Sequence, residues 1–285
     1  MKRLFLVAVF FFSIQNHGFC ASDFRGKIIN TTGPVPKRVV CLMPNIAEIV
    51  EQLGKAETLV GITEYTRLKH APTRPPKTLG PYNQLSAEVI ATLKPDLILA
   101  NVDGNDRALV LQLEKLNLNV TTIDTSSLAS IVKSFELIAL VLKAPNAPAL
   151  KKFKNTLSRF SKVTHAHPQK VFLQVGWDPI VSISKSTFIH ELVELAGGTN
   201  IFATSKIKYP RPNAEEVISA NPDVILICNL SKDGIEAERS LMFWKQFKKM
   251  SAVRNDRIFI ISGDLLTKPT LTLGVGLEKL QETIL

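Results

Sequence analysis

The sequence predicts an α/β fold in which two lobes, each built on a mainly parallel sheet, are joined by one long helix with a cleft between them. Three observations predict this fold. A motif of 13 residues occurs twice, at 87–99 and, 127 residues later, at 214–226. Strand-like and helix-like segments alternate in the same order around both copies. A segment at 147–165, rich in Ala, Lys and Leu and without glycine, separates the two halves.

The chain begins with a basic and then apolar segment that is typical of an export signal. Lys2 and Arg3 precede an unbroken apolar run at 4–12, and small or polar residues follow up to position 22. This run is too short to span a bilayer as a helix. Residues 1–21 are therefore predicted to be a secretory signal peptide, and the mature protein is expected in the periplasm. Lipidation of Cys20 is an open alternative, although the bulky Phe19 before it disfavours a lipoprotein signal.

Composition favours a globular protein and disfavours some functions. The chain has 285 residues, of which 45% are hydrophobic and 21% charged, enough for two cores. The net charge is +10, but the basic residues are scattered over predicted helix faces, which argues against nucleic-acid binding. Cys41 and Cys228 lie in apolar strand-like runs in different halves, so we predict buried free thiols and no disulfide.

Each copy of the motif predicts a capped helix followed by a buried strand. Ser86 or Asn213 precedes the helix, and a glutamate, Glu88 or Glu215, lies in its first turn. A proline then ends the helix, and a fully apolar run predicts a strand buried on both faces. Six of the 13 aligned positions are identical, which indicates two lobes of the same plan.

The surroundings of the motif repeat as well. Each half opens with a predicted strand, at 38–42 and 170–174, and continues with a helix that ends at glycine. The segment between the halves predicts a helix of about 17 residues, roughly 25 Å long, which would be a stiff connection that limits lobe motion. The predicted bounds are 37–145 for the N-terminal lobe, 146–166 for the linker helix and 168–285 for the C-terminal lobe.

Four segments resemble a known family. They are Arg-Val-Val with Pro-Asn-Ile-Ala-Glu at 38–48, Leu-Lys-Pro-Asp-Leu at 93–97, Val-Phe-Leu-Gln-Val-Gly at 171–176 and Gly-Gly-Thr-Asn-Ile-Phe at 197–202. They resemble the helix-linked (class III) periplasmic binding proteins, which serve ABC importers of cobalamin, ferric siderophores and haem. The last two segments lean towards the cobalamin-binding branch, the BtuF type. The resemblance spans about residues 38–285, and it implies a monomer that binds a small molecule and delivers it to a membrane permease and, through it, to an ATPase.

The resemblance implies a docking role for one glutamate on each lobe. The matching positions are Glu88 and Glu215, which the repeat also singles out, and in the family such glutamates meet arginines of the permease. Two exposed carboxylates on rigid helices can align both lobes on a two-fold-symmetric partner. The alternative is that each glutamate only complements the dipole of its helix.

The resemblance also implies that loops at the strand ends hold the ligand in the cleft. The matching positions are Tyr65, Tyr82, Trp177, Tyr209, Asp264 and Lys268. Aromatic faces suit a large, flat, partly apolar ligand, and cobalamin is the expected one. Tyr82, Asn101 and Tyr209 stand where the cobalamin branch tends to place tryptophan, and Lys268 stands where arginine is expected. Together with Arg67 and Arg211 nearby, these departures keep a ferric siderophore or haem open as the alternative ligand.

Two further classes are less favoured. A zinc- or manganese-binding protein would need several cleft histidines, and only His70 follows a predicted cleft loop. Ser182 and Lys185 match the Ser-x-x-Lys pattern of an acyl-transfer enzyme, but Ser182 lies in a predicted apolar strand at 180–184 and the companion motifs are missing from the sequence. We therefore predict no catalytic residue, no metal site and no cofactor.

Overall fold

The structure is a computed structural model that describes residues 21–163 and 165–285. Residues 1–20 of the predicted signal peptide, including Cys20, lie outside the described residues. None of the described helices combines the length and apolarity needed to cross a membrane. The described chain begins with a two-stranded antiparallel hairpin formed by β1 (Ala21–Ser22) and β2 (Ile28–Ile29).

The N-terminal lobe is a five-stranded sheet in which all neighbouring strands are parallel. In chain order its elements are β3 (Val39–Cys41), α1 (Pro44–Gln52), β4 (Leu59–Ile62), β5 (Lys77–Thr78), α2 (Ala87–Thr92), β6 (Leu97–Asn101), α3 (Arg107–Lys115), β7 (Val120–Ile123) and α4 (Leu128–Val141). The strand order across the sheet is β5-β4-β3-β6-β7. A short 3-10 turn at Ala56–Thr58 precedes β4.

The C-terminal lobe is a four-stranded parallel sheet that follows helix α5 (Pro148–Phe160). Its elements are β8 (Gln169–Gln174), α6 (Phe188–Leu195), β9 (Gly198–Asn200), α7 (Ala214–Ala220), β10 (Val224–Asn229), α8 (Ile235–Trp244), α9 (Ser251–Arg254), β11 (Ile258–Ser262) and α10 (Leu273–Ile284). The strand order is β11-β10-β8-β9, and a 3-10 turn at Gly263–Leu265 follows β11. The predicted fold class is confirmed by two parallel sheets joined through a helix.

Alternate residues along each central strand pack into different cores, as the two-residue period of a strand requires. In β6, Leu97 and Leu99 join one apolar cluster, whereas Ile98 and Ala100 join a second cluster beneath α2 and α3. In β10 the same alternation places Ile225 in a third cluster beneath α8. Both sheets are therefore covered on both faces, which is why their central strands are apolar without interruption.

One apolar cluster runs through both lobes. It contains strand residues of both sheets, such as Leu99 and Leu226, and side chains of α1, α4, α5, α6 and α10. The rings of Phe135 in α4 and Phe153 in α5 lie 5.1 Å apart at 59°, so the connecting helix is itself part of the core. The lobes are consequently packed against each other as well as linked by the chain.

Most predicted elements are confirmed, and two differ. The repeat helices α2 and α7 begin at Ser86 and Asn213, whose side chains accept from Val89 N and Glu216 N. The connecting helix has 13 residues and ends at Phe160, where the predicted helix continued to 166; Val163 and Thr164, which have low helix propensity, follow within four residues. The strand predicted at 180–184 is wrong: Val181 forms an isolated antiparallel bridge with Gly176, and the Ser182 and Ser184 amides donate to carbonyls of a loop at 208–210. The thiols of Cys41 and Cys228 are buried and unpaired, as predicted.

The hairpin covers the open side of β7, which is an edge strand of its sheet. The Asp23 carboxylate is fully buried and accepts from Thr122 Oγ1 (2.8 Å) and Thr122 N (3.2 Å), taking the place of a neighbouring strand. It also accepts from the amides of Arg25 (2.9 Å) and Lys27 (3.0 Å). Arg25 and Lys27 then reach Glu114 on α3 at 3.0 and 2.9 Å, so the hairpin is fixed to the lobe by ion pairs.

We expect the substitution Asp23→Asn to lower the free energy of unfolding by about 2–3 kcal/mol, because it removes the charge from a buried, hydrogen-bonded ion pair. Burial alone would raise the Asp23 pKa, but the bonds from Thr122, Arg25 and Lys27 lower it below the ordinary value of 3.8. The contribution is therefore present above pH 3.8 and lost as the pH falls through the lower pKa of the folded state. Urea unfolding at several pH values would measure both effects. The matched variant Asp256→Asn, at an exposed turn, should leave stability unchanged; equal stability of the two variants at pH 7 would contradict the assignment.

Candidate functional site

A cleft of about 610 Å³ lies between the lobes, at the carboxyl ends of the parallel strands. Ligands of open α/β sheets bind at this edge. The N-terminal lobe contributes Met43, Asn45, Tyr82, Asn101, Asp103, Gly104, Thr125 and Ser126, and the C-terminal lobe contributes Thr187, Phe188, Lys208, Tyr209 and Pro269. The cleft is therefore formed by both halves of the repeat.

Two of the predicted ligand residues, Tyr82 and Tyr209, line this cleft from opposite lobes. Tyr82 follows Gly80, whose φ of +98° allows the turn after β5, and its side chain is 40% exposed. Tyr209 is 43% exposed, and burial of its hydroxyl raises its pKa, so the phenol stays protonated and can donate a hydrogen bond at neutral pH. The loop of Tyr209 is fixed by its carbonyls, since those of Lys208 and Pro210 accept from Ser184 N and Ser182 N.

The floor of the cleft is held by a hydrogen-bonded asparagine pair. Asn101, at the end of β6, donates through Nδ2 to Thr125 Oγ1 at 2.8 Å and accepts through Oδ1 from Asp103 N at 3.0 Å. Asn105 Oδ1 accepts from Asn101 N at 2.9 Å, and Asn105 Nδ2 donates to Leu42 O at 2.9 Å. Both amides are buried. These bonds fix the loop that presents Asp103 and Gly104 to the cleft.

The other four predicted ligand residues lie outside the described lining of the cleft and remain predictions. Tyr65 is 76% exposed in the loop after β4, with a left-handed φ of +64° that a tyrosine rarely adopts. The ring of Trp177 packs against Phe243 of α8 at 5.3 Å. Asp264 pairs with Lys268 at 3.0 Å and with Arg67 of the opposite lobe at 3.7 Å. Lys268 precedes the cleft residue Pro269, so this pair lies close to the cleft.

Sequence reasoning missed most of the polar lining. Asn45, Asp103, Thr125 and Lys208 were not predicted as ligand residues, although Asn45, Asp103 and Thr125 each come shortly after a buried strand. A polar residue at the carboxyl end of a central strand was the signal that could have identified those three. Lys208 is presented by a loop whose position depends on tertiary packing.

The two predicted docking glutamates are both exposed in the first turns of α2 and α7. The Ser86 hydroxyl donates to Glu88 Oε2 at 2.7 Å, and this bond lowers the pKa of the Glu88 carboxyl. In α7 the capping box is closed by Glu216, whose carboxylate accepts from Asn213 N at 2.8 Å. Glu215 is thus not the residue that caps its helix, although, like Glu88, it complements the helix dipole from the first turn.

The residues of the less favoured classes lie as follows. Ser182 is buried, and its hydroxyl donates to Leu173 O at 2.7 Å. His190 is buried in α6, with Nε2 at 3.3 Å from Glu194 Oε1, and His70 is on an exposed loop beside Glu51. Within residues 21–163 and 165–285, no group of three or more His, Cys, Asp or Glu side chains is placed to hold a metal ion.

Two parallel-sheet lobes with a shared core and a cleft at their strand ends define a protein that encloses a small molecule between its lobes. Residues 39–265 match the family described as periplasmic binding protein. The chain belongs to this family.

Curated relatives carry a more specific name. A protein of Vibrio cholerae named vitamin B12-binding protein is 28% identical over 246 residues, which are 83% of this chain and 85% of that protein. A protein of Yersinia pestis with the same name is 29% identical over 196 residues, covering 67% of this chain and 69% of that protein.

Solved structures of the same shape include proteins with different ligands. The periplasmic vitamin B12-binding protein BtuF of Vibrio cholerae aligns with a TM-score of 0.71 at 25% identity, over 87% of this chain and 96% of that one. The periplasmic haem-binding protein HutB of Vibrio cholerae aligns with a TM-score of 0.72 at 19% identity, over 86% of this chain and 97% of that one. The second likeness concerns the fold alone.

Proposed function

We propose that this protein is the solute-binding protein of an ABC importer, and that it binds cobalamin or another corrinoid outside the cytoplasm. The observation that carries the proposal is the cleft in which Tyr82 and Tyr209 approach from opposite lobes. Two aromatic faces on opposite walls can enclose a large flat ring system. The relatives named vitamin B12-binding protein support the choice of ligand.

The charge of the cleft favours a ligand rich in neutral polar groups. Lys208 and Asp103 are the charged side chains of the described lining, and they offset each other. The remaining polar side chains are amides and hydroxyls: Asn45, Asn101, Thr125, Ser126, Thr187, Tyr82 and Tyr209. Such groups can exchange hydrogen bonds with the side-chain amides of a corrinoid. A ferric siderophore or a haem with two carboxylates would call for more cationic side chains.

Haem binding is the second candidate, because a tyrosine can ligate haem iron and two tyrosines line the cleft. Iron ligation requires a phenolate, which a bound iron ion itself stabilises, and either tyrosine could supply it. The two candidates are therefore separated by direct titration.

Titration of the purified protein with cyanocobalamin, haem and a ferric siderophore tests the ligand. We expect saturable binding of cyanocobalamin with a dissociation constant of micromolar or below, corresponding to about −8 kcal/mol or better. Calorimetry would measure it, and the visible absorbance of each compound gives a second readout. Tight binding of haem alone would replace the corrinoid proposal by the haem one, and no binding of any of the three would reject both.

We infer that delivery to the importer takes place without chemistry on the ligand. The loaded protein would present Glu88 and Glu215, one from each lobe, to the permease, which works with its ATPase. The first-turn location of both glutamates on short helices, at the same edge of each sheet, supports this role.

A further inference from the structure

Helices α1 and α6 are equivalent elements of the internal repeat, since each follows the first strand of its sheet. Residues 46–54 align with 189–197 without a gap, and five of the nine positions are identical. Two of the identical positions are glutamates, and the first of these pairs Glu48 with Glu191. Neither residue is needed to cap its helix, because Thr187 caps α6 and Glu48 lies in the second turn of α1.

Glu48 is buried and Glu191 is half-buried, and both reach across to the other lobe. Glu48 is 8% exposed, and its Oε1 lies 3.5 Å from Lys268 Nζ of the C-terminal lobe. Both oxygens of Glu191 lie 3.3 Å from Leu128 N, the first amide of α4 in the N-terminal lobe. Burial raises the pKa of both carboxyls, so each contact is made at a cost in solvation.

The two targets are equivalent as well. Lys268 lies between β11 and α10, and Leu128 begins α4 directly after the loop that follows β7. β7 and β11 are the last strands of their lobes, and both are edge strands. Each glutamate therefore extends from the helix after the first strand of one lobe to the segment after the last strand of the other lobe. The two contacts are reciprocal about a pseudo-two-fold axis between the lobes.

The segments that the glutamates hold are walls of the cleft. Thr125 and Ser126, just before α4, line it on the side of Glu191, and Pro269 lines it next to Lys268. On the Glu48 side the same helix makes two more contacts across the lobes. Asn45 Nδ2 lies 3.4 Å from Pro269 O, and Gln52 Oε1 accepts from Leu271 N at 2.9 Å.

We propose that the interlobe contacts of Glu48 and Glu191 together set the distance between the two cleft walls. The two glutamates are thus positioning residues for ligand binding. A single interlobe carboxylate contact would be compatible with incidental packing. Two at equivalent positions, each directed at an equivalent segment of the opposite lobe, are arranged symmetrically about the cleft. The part of this inference that concerns the ligand rests on the proposed function; the part that concerns lobe separation does not.

The test measures lobe separation without ligand. Spin labels at Thr92→Cys on α2 and Ser219→Cys on α7, both exposed, would report the distance distribution between the lobes, and the buried native thiols should not react. We expect a narrow distribution for the parent and a broader one for the double variant Glu48→Met/Glu191→Met. Glu194→Met, one turn further along α6, is the matched control and should resemble the parent. Equal widths for the parent and the folded double variant would overturn the proposal.

Glutamine variants keep the test valid if the methionine double variant does not fold. Glu191→Gln keeps an oxygen that can accept from Leu128 N and should retain the parental width, whereas Glu48→Gln loses the charge that pairs with Lys268 and should broaden it. A broader distance distribution in both glutamine variants, or in neither, would contradict the two contacts as described. If cyanocobalamin binds, we expect it to dissociate from the Glu48→Gln variant about tenfold faster than from the parent, with little change in the association rate. The spin-label measurement needs no ligand. It therefore still tests the lobe separation if the protein does not bind cyanocobalamin.

Discussion

Alanine at both Tyr82 and Tyr209 is expected to weaken cyanocobalamin binding by about a thousandfold, since each central aromatic contact is worth about 2 kcal/mol. The two side chains come from loops of different lobes and line the cleft from opposite walls, so their contributions should be nearly additive. Calorimetry on the single and double variants would measure the losses and any coupling between the two positions.

Two further variants distinguish the contribution of the aromatic rings to ligand affinity from that of the hydroxyls and from that of a tyrosine outside the cleft lining. Phenylalanine at both positions keeps the faces and should retain most of the affinity, apart from bonds made by the hydroxyls. Tyr65→Ala tests the third predicted ligand tyrosine, which lies outside the described cleft lining, and its effect should be smaller than that of either cleft tyrosine. Parental affinity of the double alanine variant would show that the ligand is not held between these rings.

Alanine at both Glu88 and Glu215 is expected to reduce ligand delivery to the importer to background, at least about a hundredfold, while ligand affinity stays unchanged. Each carboxylate is exposed and lies outside the described cleft lining, so its removal should not disturb the bound ligand. Uptake by cells, or ligand-stimulated ATPase activity of the reconstituted importer, would measure delivery. Each single variant should retain an intermediate rate, because the other lobe can still dock.

Glu216→Ala is the matched control for the docking variants. It lies beside Glu215 on α7 and is equally exposed, but its carboxylate closes the capping box. Its loss should destabilise the start of α7 modestly and leave delivery intact. Parental delivery by the Glu88→Ala/Glu215→Ala variant, or loss of delivery in Glu216→Ala, would count against the docking role.

The elements that sequence predicts well are those whose signals are local. Capping residues, Ser86 and Asn213, mark where α2 and α7 start, and uninterrupted apolar runs mark β6 and β10. These signals lie within the segments themselves, so all four elements were predicted correctly. The segment at 180–184 is also largely apolar, but a strand needs a neighbouring strand. Apart from an isolated bridge between Val181 and Gly176, its amides donate to carbonyls of the loop at 208–210. Local pattern cannot supply that information.

The candidate site was predictable to the extent that it lies at strand ends. Tyr82 and Tyr209 were singled out by the resemblance to the helix-linked binding proteins, and both stand in Gly- or Pro-containing loops next to predicted strands. The structure places both in the cleft lining, and their contact with a ligand remains a prediction. The direction of Trp177, towards Phe243, is set by packing against α8 that the sequence does not reveal. The contact of Glu48 with Lys268 joins residues 220 positions apart, and no local pattern marks either of them as a partner of the other.

The apolar cluster that runs through both lobes has a thermodynamic consequence. Side chains of α4, α5, α6 and α10 belong to one cluster with strand residues of both sheets, so unfolding one lobe would expose apolar surface that the other lobe covers. We therefore expect the two halves of the repeat to unfold as a single cooperative unit. A chain cut within α5 would yield two fragments that each carry an uncovered apolar face, although the sequence repeat by itself suggests that it could be divided there.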